Sequence, residues 1–459
     1  MMKTYNDLIN VGEDEQKRME FCEALINEHK TSYLYKTASD AELYYRHMNP
    51  TIMKIQKFVY NAKGKAVPDI YSANNKIPCR YYFYFVTQSV QYLLGNGVSF
   101  GKSDTKNRLG KDFDNDVVTA AVRAINGGVS FGFWNFDHLE IMAISDGSDV
   151  PCFVPLYDEE TGALRAGVRF WQIAENKPLR YTLFEEDGYT EYIRRIGNNS
   201  EVYSEKKAYV QIREQSEASG ETFVNGQNYS TLPIVPLFNI NKQSEIVGNR
   251  EVIDAYDLMA SDLVNNVDDA NFIYWIIKNA GGMEDEDLEQ FIERIKMNHV
   301  AEVNADAGVD VQAHSIETPY QASETALARL RDQLFDDFMA LDTKNIAGGA
   351  TTATQIMAAY EPINAKTDML EYQVTEFING ILALLGIDDK PAYTRSKIVN
   401  TQEEIQTLLM AQANLSDEYV TRKVLELMGD IDKVDEIMAA RMGEDLGRFN
   451  GDAEENLNE

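Results

Sequence analysis

Residues 249–277, NREVIDAYDLMASDLVNNVDDANFIYWII, decide how the chain is read. Val252, Tyr256, Met259, Leu263 and Val267 step by four, three, four and four residues, the spacing of one apolar stripe on a helix. The polar face carries Asp254, Asp257, Asp262, Asp268 and Asp269, with Arg250 as the one basic residue of the stretch. The pattern predicts a helix of about 29 residues, roughly 43 Å long at 1.5 Å per residue. So long a helix needs a neighbour along its length.

Working downstream, Gly281-Gly282 breaks this helix, and Glu284 to Lys296 reads as a short acidic helix with Leu288, Phe291, Ile292 and Ile295 inward. Two β-like pieces follow, Val300 to Asn304 and Val309 to Ala313. Thr318-Pro319-Tyr320-Gln321 is a helix start: Thr318 suits the N-cap, Pro319 the first helical position, and Gln321 completes a capping box. The second helix places Leu327, Leu330, Leu334, Phe338 and Leu341 on one face. Next comes a loop of mostly small residues, Thr343, Lys344, Asn345, Ile346, Ala347, Gly348, Gly349, Ala350, Thr351 and Thr352. A third long helix is expected from Ala353 to Leu385, kinked at Pro362, where a hydrogen bond is lost, and capped by Gly386. Shorter helices, Glu403 to Ala413 and Ser416 to Met428, follow, and the acidic tail from Glu444 is expected to be disordered.

Upstream, the first 60 residues read as helix, with Met19, Cys22, Leu25 and Ile26 forming one stripe. Asn74 to Pro78 reads as a turn. Tyr81 to Leu94 reads as a buried helix, with strand as the alternative because of its many aromatics. Between Val129 and Phe238 the texture is that of short strands, including 167–171, 191–195 and 208–212. Leu232 to Phe238 holds two prolines, which confine it to a sheet edge or a bulge. The fold class is α+β, dominated by helix, with an antiparallel sheet in the first half.

Composition narrows the function. With 43 Lys+Arg against 74 Asp+Glu the formal charge is −31, which opposes tight, charge-driven binding to phosphates. Hydrophobic residues at 44 % are ample for packed cores and disfavour disorder. Cys22, Cys79 and Cys152 are far apart, and His29, His47, His138, His299 and His314 are scattered singly, so neither a disulfide framework nor a metal site is expected. The N-terminus lacks a signal-peptide core, and the strongest apolar run, Phe272 to Ile277, is far short of the roughly 20 residues of a membrane span. A reducing cytosol fits, without a membrane.

Catalytic chemistry finds little support. Asn96-Gly97-Val98-Ser99-Phe100-Gly101-Lys102-Ser103 looks like a phosphate-binding loop, but its first glycine is replaced by Asn96. The mechanism needs a strand before and a helix after; a helix is read before it, and Asp104 to Asn107 after it reads as polar loop. The run Glu284-Asp285-Glu286-Asp287 lacks the spacing of a calcium loop and reads as a solvated helix start. No catalytic residue and no cofactor is assigned.

Several segments in order resemble tailed-bacteriophage portal proteins of the SPP1-like family. They are Asn74 to Ile77 with Tyr92 to Gly95, Ile125 to Val129 with Trp134, Leu232 to Asn239, and Ile253 to Asp257 with Ser261-Asp262. The resemblance runs over roughly residues 50 to 440. It implies a ring, usually of about twelve subunits in this family, with wing, stem, clip and crown regions. In these terms 1–248 is wing, 249–278 and 318–342 are stem helices and 279–317 is clip. Residues 343–352 are the tunnel loop, 353–395 the kinked wing helix, 396–443 the crown and 444–459 a tail.

The implied function is a conduit for double-stranded DNA at one capsid vertex, assembled in the host cytoplasm. Its implied partners are terminase, head-completion or adaptor proteins, scaffold and major capsid protein. Asp254, Asp257 and Asp262 are expected to give an acidic channel lining, and Lys344 and Asn345 to touch the DNA backbone. An elongated monomer with a helical hairpin, another structural head protein, or a nucleotide-binding enzyme using residues 95–103 are the alternatives.

Overall fold

The computed structural model describes residues 3–60, 64–69, 72–147, 149–215, 222–270, 274–278, 310–314, 320–344, 353–395, 401–412, 415–428 and 437. The chain divides into two units, residues 1–395 and 396–459.

The first unit is organised around Tyr81–Leu94, which is helix. Tyr82, Phe85, Val86, Ser89, Val90 and Leu93 are buried, with the period of a helix face, which settles helix against strand. Burying the apolar side chains among them stabilises by about 1.5–3 kcal/mol each. Phe85 stacks on Phe338 with ring centroids 4.6 Å apart, so the end of the second long helix is fastened to this core. The helix Phe113–Gly127 joins the same core and begins with Asp114 and Asp116, which favour its positive end. It stops at Gly128, where φ is +83° and a Cβ would stand 3.1 Å from the Gln243 backbone; conformation and space both require glycine.

The sheet has eight strands. In spatial order they are Ser200–Lys207, Gly188–Arg194, Leu179–Glu185, Leu164–Trp171, Cys152–Tyr157, His138–Ala143, Val129–Asn135 and Ile234–Phe238. Neighbours are antiparallel, except that His138–Ala143 and Cys152–Tyr157 meet in parallel at Ala143 and Cys152. Ile234–Phe238 occupies an edge, where Pro236 opposes Phe131 and its missing N–H leaves no gap in the ladder. Val210–Gln215, expected near 208–212, pairs instead with Thr222–Gln227 in a separate hairpin. Of the N-terminal helices, Glu15–Thr31 buries Met19, Cys22, Leu25 and Ile26 against the strands around Val154 and Val168.

The three long helices depart from expectation at their ends. The first, Arg250–Ala270, does not continue to Ile277. Tyr274–Lys278 is a strand paired antiparallel with Asp310–His314, Trp275 opposite Ala313. Its aromatic and β-branched residues favour a pleated ladder once a partner strand is supplied. The second long helix, Tyr320–Asp337, ends five residues before Asp342: Met339 has φ +50°, and Ala340 N–H bonds back to the Phe335 carbonyl at 2.9 Å. Leu334, Phe338 and Leu341 are nevertheless buried as the stripe predicts.

The third, Ala353–Leu384, runs through Pro362 as one helix, and Gly386 at φ +62° follows its end. Asp104 to Asn107 belongs to the helix Ser103–Leu109 rather than to a loop. The expected features at 279–309, 315–319, 345–352 and 444–459 lie outside the described residues. The second unit contains the helices Thr401–Ala411 and Asp417–Met428, close to the expected ranges.

Candidate functional site

The first long helix turns its polar stripe toward its own chain. Asp254 accepts from the Tyr44 hydroxyl and, at 2.8 Å, from Thr51 Oγ1, with Arg250 Nε 3.6 Å away. Asp257 is fully buried, one oxygen taken by Asn49 Nδ2 at 2.5 Å and the other by the Cys79 N–H at 2.7 Å. Burial pushes its carboxyl above the ordinary range, and the two donors oppose that shift. Ser261 Oγ accepts the Ile77 N–H at 3.0 Å, and Asn265 Oδ1 the Asn75 N–H at 2.6 Å. The stretch Asn74–Pro78 is therefore an extended strap on the helix, not a turn.

This placement removes Asp257 from the expected acidic trio. Asp257 presents no charge to solvent, because desolvated carboxylates persist only where donors satisfy them, and here the donors lie within the chain. Asp254 is held between Tyr44, Thr51 and Arg250. Asp262 is partly exposed. Sequence reading missed Ser261 and Asn265, although both continue the stripe of Asp254 and Asp257 at steps of four residues.

At the root of the 343–352 loop, Thr343 and Lys344 are exposed; Asn345, Ile346, Ala347, Gly348, Gly349, Ala350, Thr351 and Thr352 lie outside the described residues. Asp342 anchors the root: Arg331 Nη2 reaches both its oxygens at 2.8 Å, and it accepts the Lys344 N–H at 3.1 Å. On the far side Tyr92 donates to Asn364 Oδ1 at 2.6 Å, two residues past Pro362. Tyr92, Leu341, Tyr360 and Ile363 bury one another, so the chain before the loop and the third long helix beyond it both pack on the helix Tyr81–Leu94. Beneath them Lys366, almost fully buried, pairs with Glu245 and donates to the Phe338 carbonyl at 2.9 Å.

The phosphate-loop look-alike is already filled. Gly101 N–H and Lys102 N–H donate to the Asp389 carboxylate at 3.1 and 3.0 Å, and Thr105 Oγ1 donates at 2.6 Å. Lys102 is drawn to the Asp388 carbonyl, and Lys106 to Asp114 at 2.7 Å. The donors that would cradle a phosphate hold this chain's own carboxylate. Among the described residues no group of three or more His, Cys, Asp and Glu side chains is placed to hold a metal ion, and no helix is long and apolar enough to cross a membrane.

Comparison with known proteins adds to this geometry. The portal protein of Bacillus phage SPP1 is 24 % identical over 422 residues, spanning 84 % of this chain and 78 % of that protein. The portal protein of Clostridium phage phiCD119 is 28 % identical over 190 residues, 38 % of this chain and 41 % of that protein. A solved HK97-family phage portal protein from Corynebacterium diphtheriae aligns over 70 % of this chain and 96 % of its own, with TM-score 0.34 and 11 % identity. The family model for phage portal proteins of the SPP1 Gp6-like type matches residues 25–447. With nearly the whole chain so matched, it belongs to the SPP1 Gp6-like family of phage portal proteins.

Proposed function

We propose that copies of this chain close into a ring, about twelve as is usual for the family, at one vertex of a tailed-phage capsid. Double-stranded DNA passes through the ring during packaging and ejection. The family match over residues 25–447 carries this reading. Arg250–Ala270 and Tyr320–Asp337 serve as stem helices, 279–317 as clip, 343–352 as tunnel loop and 396–443 as crown. The ring docks terminase, head-completion or adaptor proteins, scaffold and major capsid protein; the chain is structural, and the packaging ATPase is a separate protein.

Two physical features support a ring of this kind. Leu258, Val264 and Val267 on the first long helix are 40 %, 37 % and 38 % exposed, apolar surface that a neighbouring copy would cover. The net charge of −31 keeps phosphates from adhering, so DNA slides rather than sticks. Of the three acids we assign Asp262, which is partly exposed, to the channel side, with the exposed Lys344 touching the DNA backbone in passing. Negative-stain imaging of the purified chain tests the proposal. Rings with a central hole are expected; monomers at every concentration would refute it.

A further inference from the structure

We propose that the extended segment Asn75–Cys79 is a register strap for the first long helix, with Asp257, Ser261 and Asn265 as its positioning residues. The inference builds on the assignment of that helix to the stem. Alternate backbone N–H groups of the strap, at 79, 77 and 75, meet side chains four residues apart on the helix, at 257, 261 and 265. Two residues of extended chain advance about 6.6 Å and four residues of helix about 6 Å. The two repeats nearly match, so the strap runs antiparallel to the helix and makes three successive rungs.

Repeats that match so closely would also allow a slip of one rung, a displacement of about 6 Å along the helix axis. The ends of the ladder forbid it. At one end Asn49 Nδ2 bridges Asp257 and, at 3.3 Å, the Cys79 carbonyl, so a slip strands a buried carboxylate. At the other, Asn75 is gripped from three sides: Asn265 takes its N–H, Asn265 Nδ2 donates to its carbonyl at 3.4 Å, and Asp268 accepts from its Nδ2 at 2.6 Å. Lys76 Nζ ties the strap to the Met53 carbonyl at 2.7 Å, which fixes the strap itself to the N-terminal helices. The strap thus sets the axial height of the stem helix relative to the rest of the first unit.

The test uses the full-length chain and three readouts. In S261A/N265A, amide exchange at residues 75 and 77 should rise roughly tenfold, the loss of one hydrogen bond at each freed rung, while residue 79 keeps its Asp257 acceptor; S261T, which keeps the hydroxyl, should leave residue 77 within about twofold of wild type. Rings should still form by negative stain, and packaged DNA per ring should fall for S261A/N265A but not for S261T. Unchanged exchange at these amides, or unchanged packaging by intact rings with faster exchange, overturns the strap as a positioning device. Should the double variant fail to fold, S261A and N265A singly carry the same comparison. Failure of the wild-type chain to form rings overturns the portal reading instead, and the exchange comparison still judges the strap.

Discussion

Gln88 holds both backbone polar groups of Leu341: its Oε1 accepts the Leu341 N–H at 2.9 Å and its Nε2 donates to the Leu341 carbonyl at 2.9 Å. A side-chain amide thus pairs with the chain as a neighbouring strand would, one residue before Asp342. Backbone groups that leave a helix end must find partners, and here the partner comes from the helix Tyr81–Leu94.

Replacing Gln88 by Leu should therefore free the root of the 343–352 loop. Two hydrogen bonds of about 1 kcal/mol each are lost, and the apolar replacement satisfies neither group of Leu341. Amide exchange at Leu341 should accelerate while exchange in Phe113–Gly127 stays as in wild type. Equal acceleration in both places would point to general loosening and count against a local anchor.

The buried pair of Lys366 and Glu245 predicts a larger effect. Their side chains are 7 % and 15 % exposed, and Lys366 also supports the Phe338 carbonyl where the second long helix ends. Lys366→Met leaves Glu245 uncompensated and should cost about 3–5 kcal/mol, whereas Lys366→Met combined with Glu245→Gln should recover part of that loss. Urea denaturation of both variants measures the difference. A double variant no more stable than the single one would show that the charge pair is not the cause.

Close packing between the third long helix and the sheet supplies another test. A Cβ on Gly132 would stand 2.6 Å from the Phe377 ring, and one on Gly380 2.7 Å from Val235. Gly132→Val should destabilise by about 1–3 kcal/mol through overpacking, and Phe377→Leu in the same chain should relieve it. Denaturation midpoints decide: if the two substitutions simply add, the ring and the glycine are not in the contact described.

Periodicity explains what was legible in the sequence. The stripes of Glu15–Thr31, Arg250–Ala270 and Tyr320–Asp337 announced their helices, and two prolines placed 234–238 at an edge. What escaped depended on distant partners. The apolar run 272–277 reads alike as helix or strand, and only pairing with residues 310–314, over 30 positions on, makes 274–278 a strand. Asn74–Pro78 has the composition of a turn, yet the N–H groups of Asn75 and Ile77 are satisfied by a helix nearly 200 residues away. The acids of that helix looked solvated because a stripe of carboxylates usually is; nothing local marked Asn49 and Cys79 as the donors that bury Asp257.

Asp389 gives the pH-dependent prediction. The Thr105 hydroxyl, with the N–H groups of Lys390, Lys102 and Gly101, holds its carboxyl at about 2, below the ordinary 3.8. A carboxylate depressed in the fold stabilises it above its unfolded value, and that contribution disappears as the pH falls through the folded one. The contact pins residues 388–395, whose strand Pro391–Tyr393 pairs with Val98–Phe100. Asp389→Asn keeps the shape but loses the charge, so the wild type should melt at a higher temperature than the variant above a pH of about 4. The gap should shrink as the pH falls through about 2, below which the native side chain is itself neutral. Because the group is partly exposed, added salt should narrow the gap as well. A melting difference that persists unchanged to the acid end would mean that side-chain shape, and not the anion in the nest, holds the segment in place.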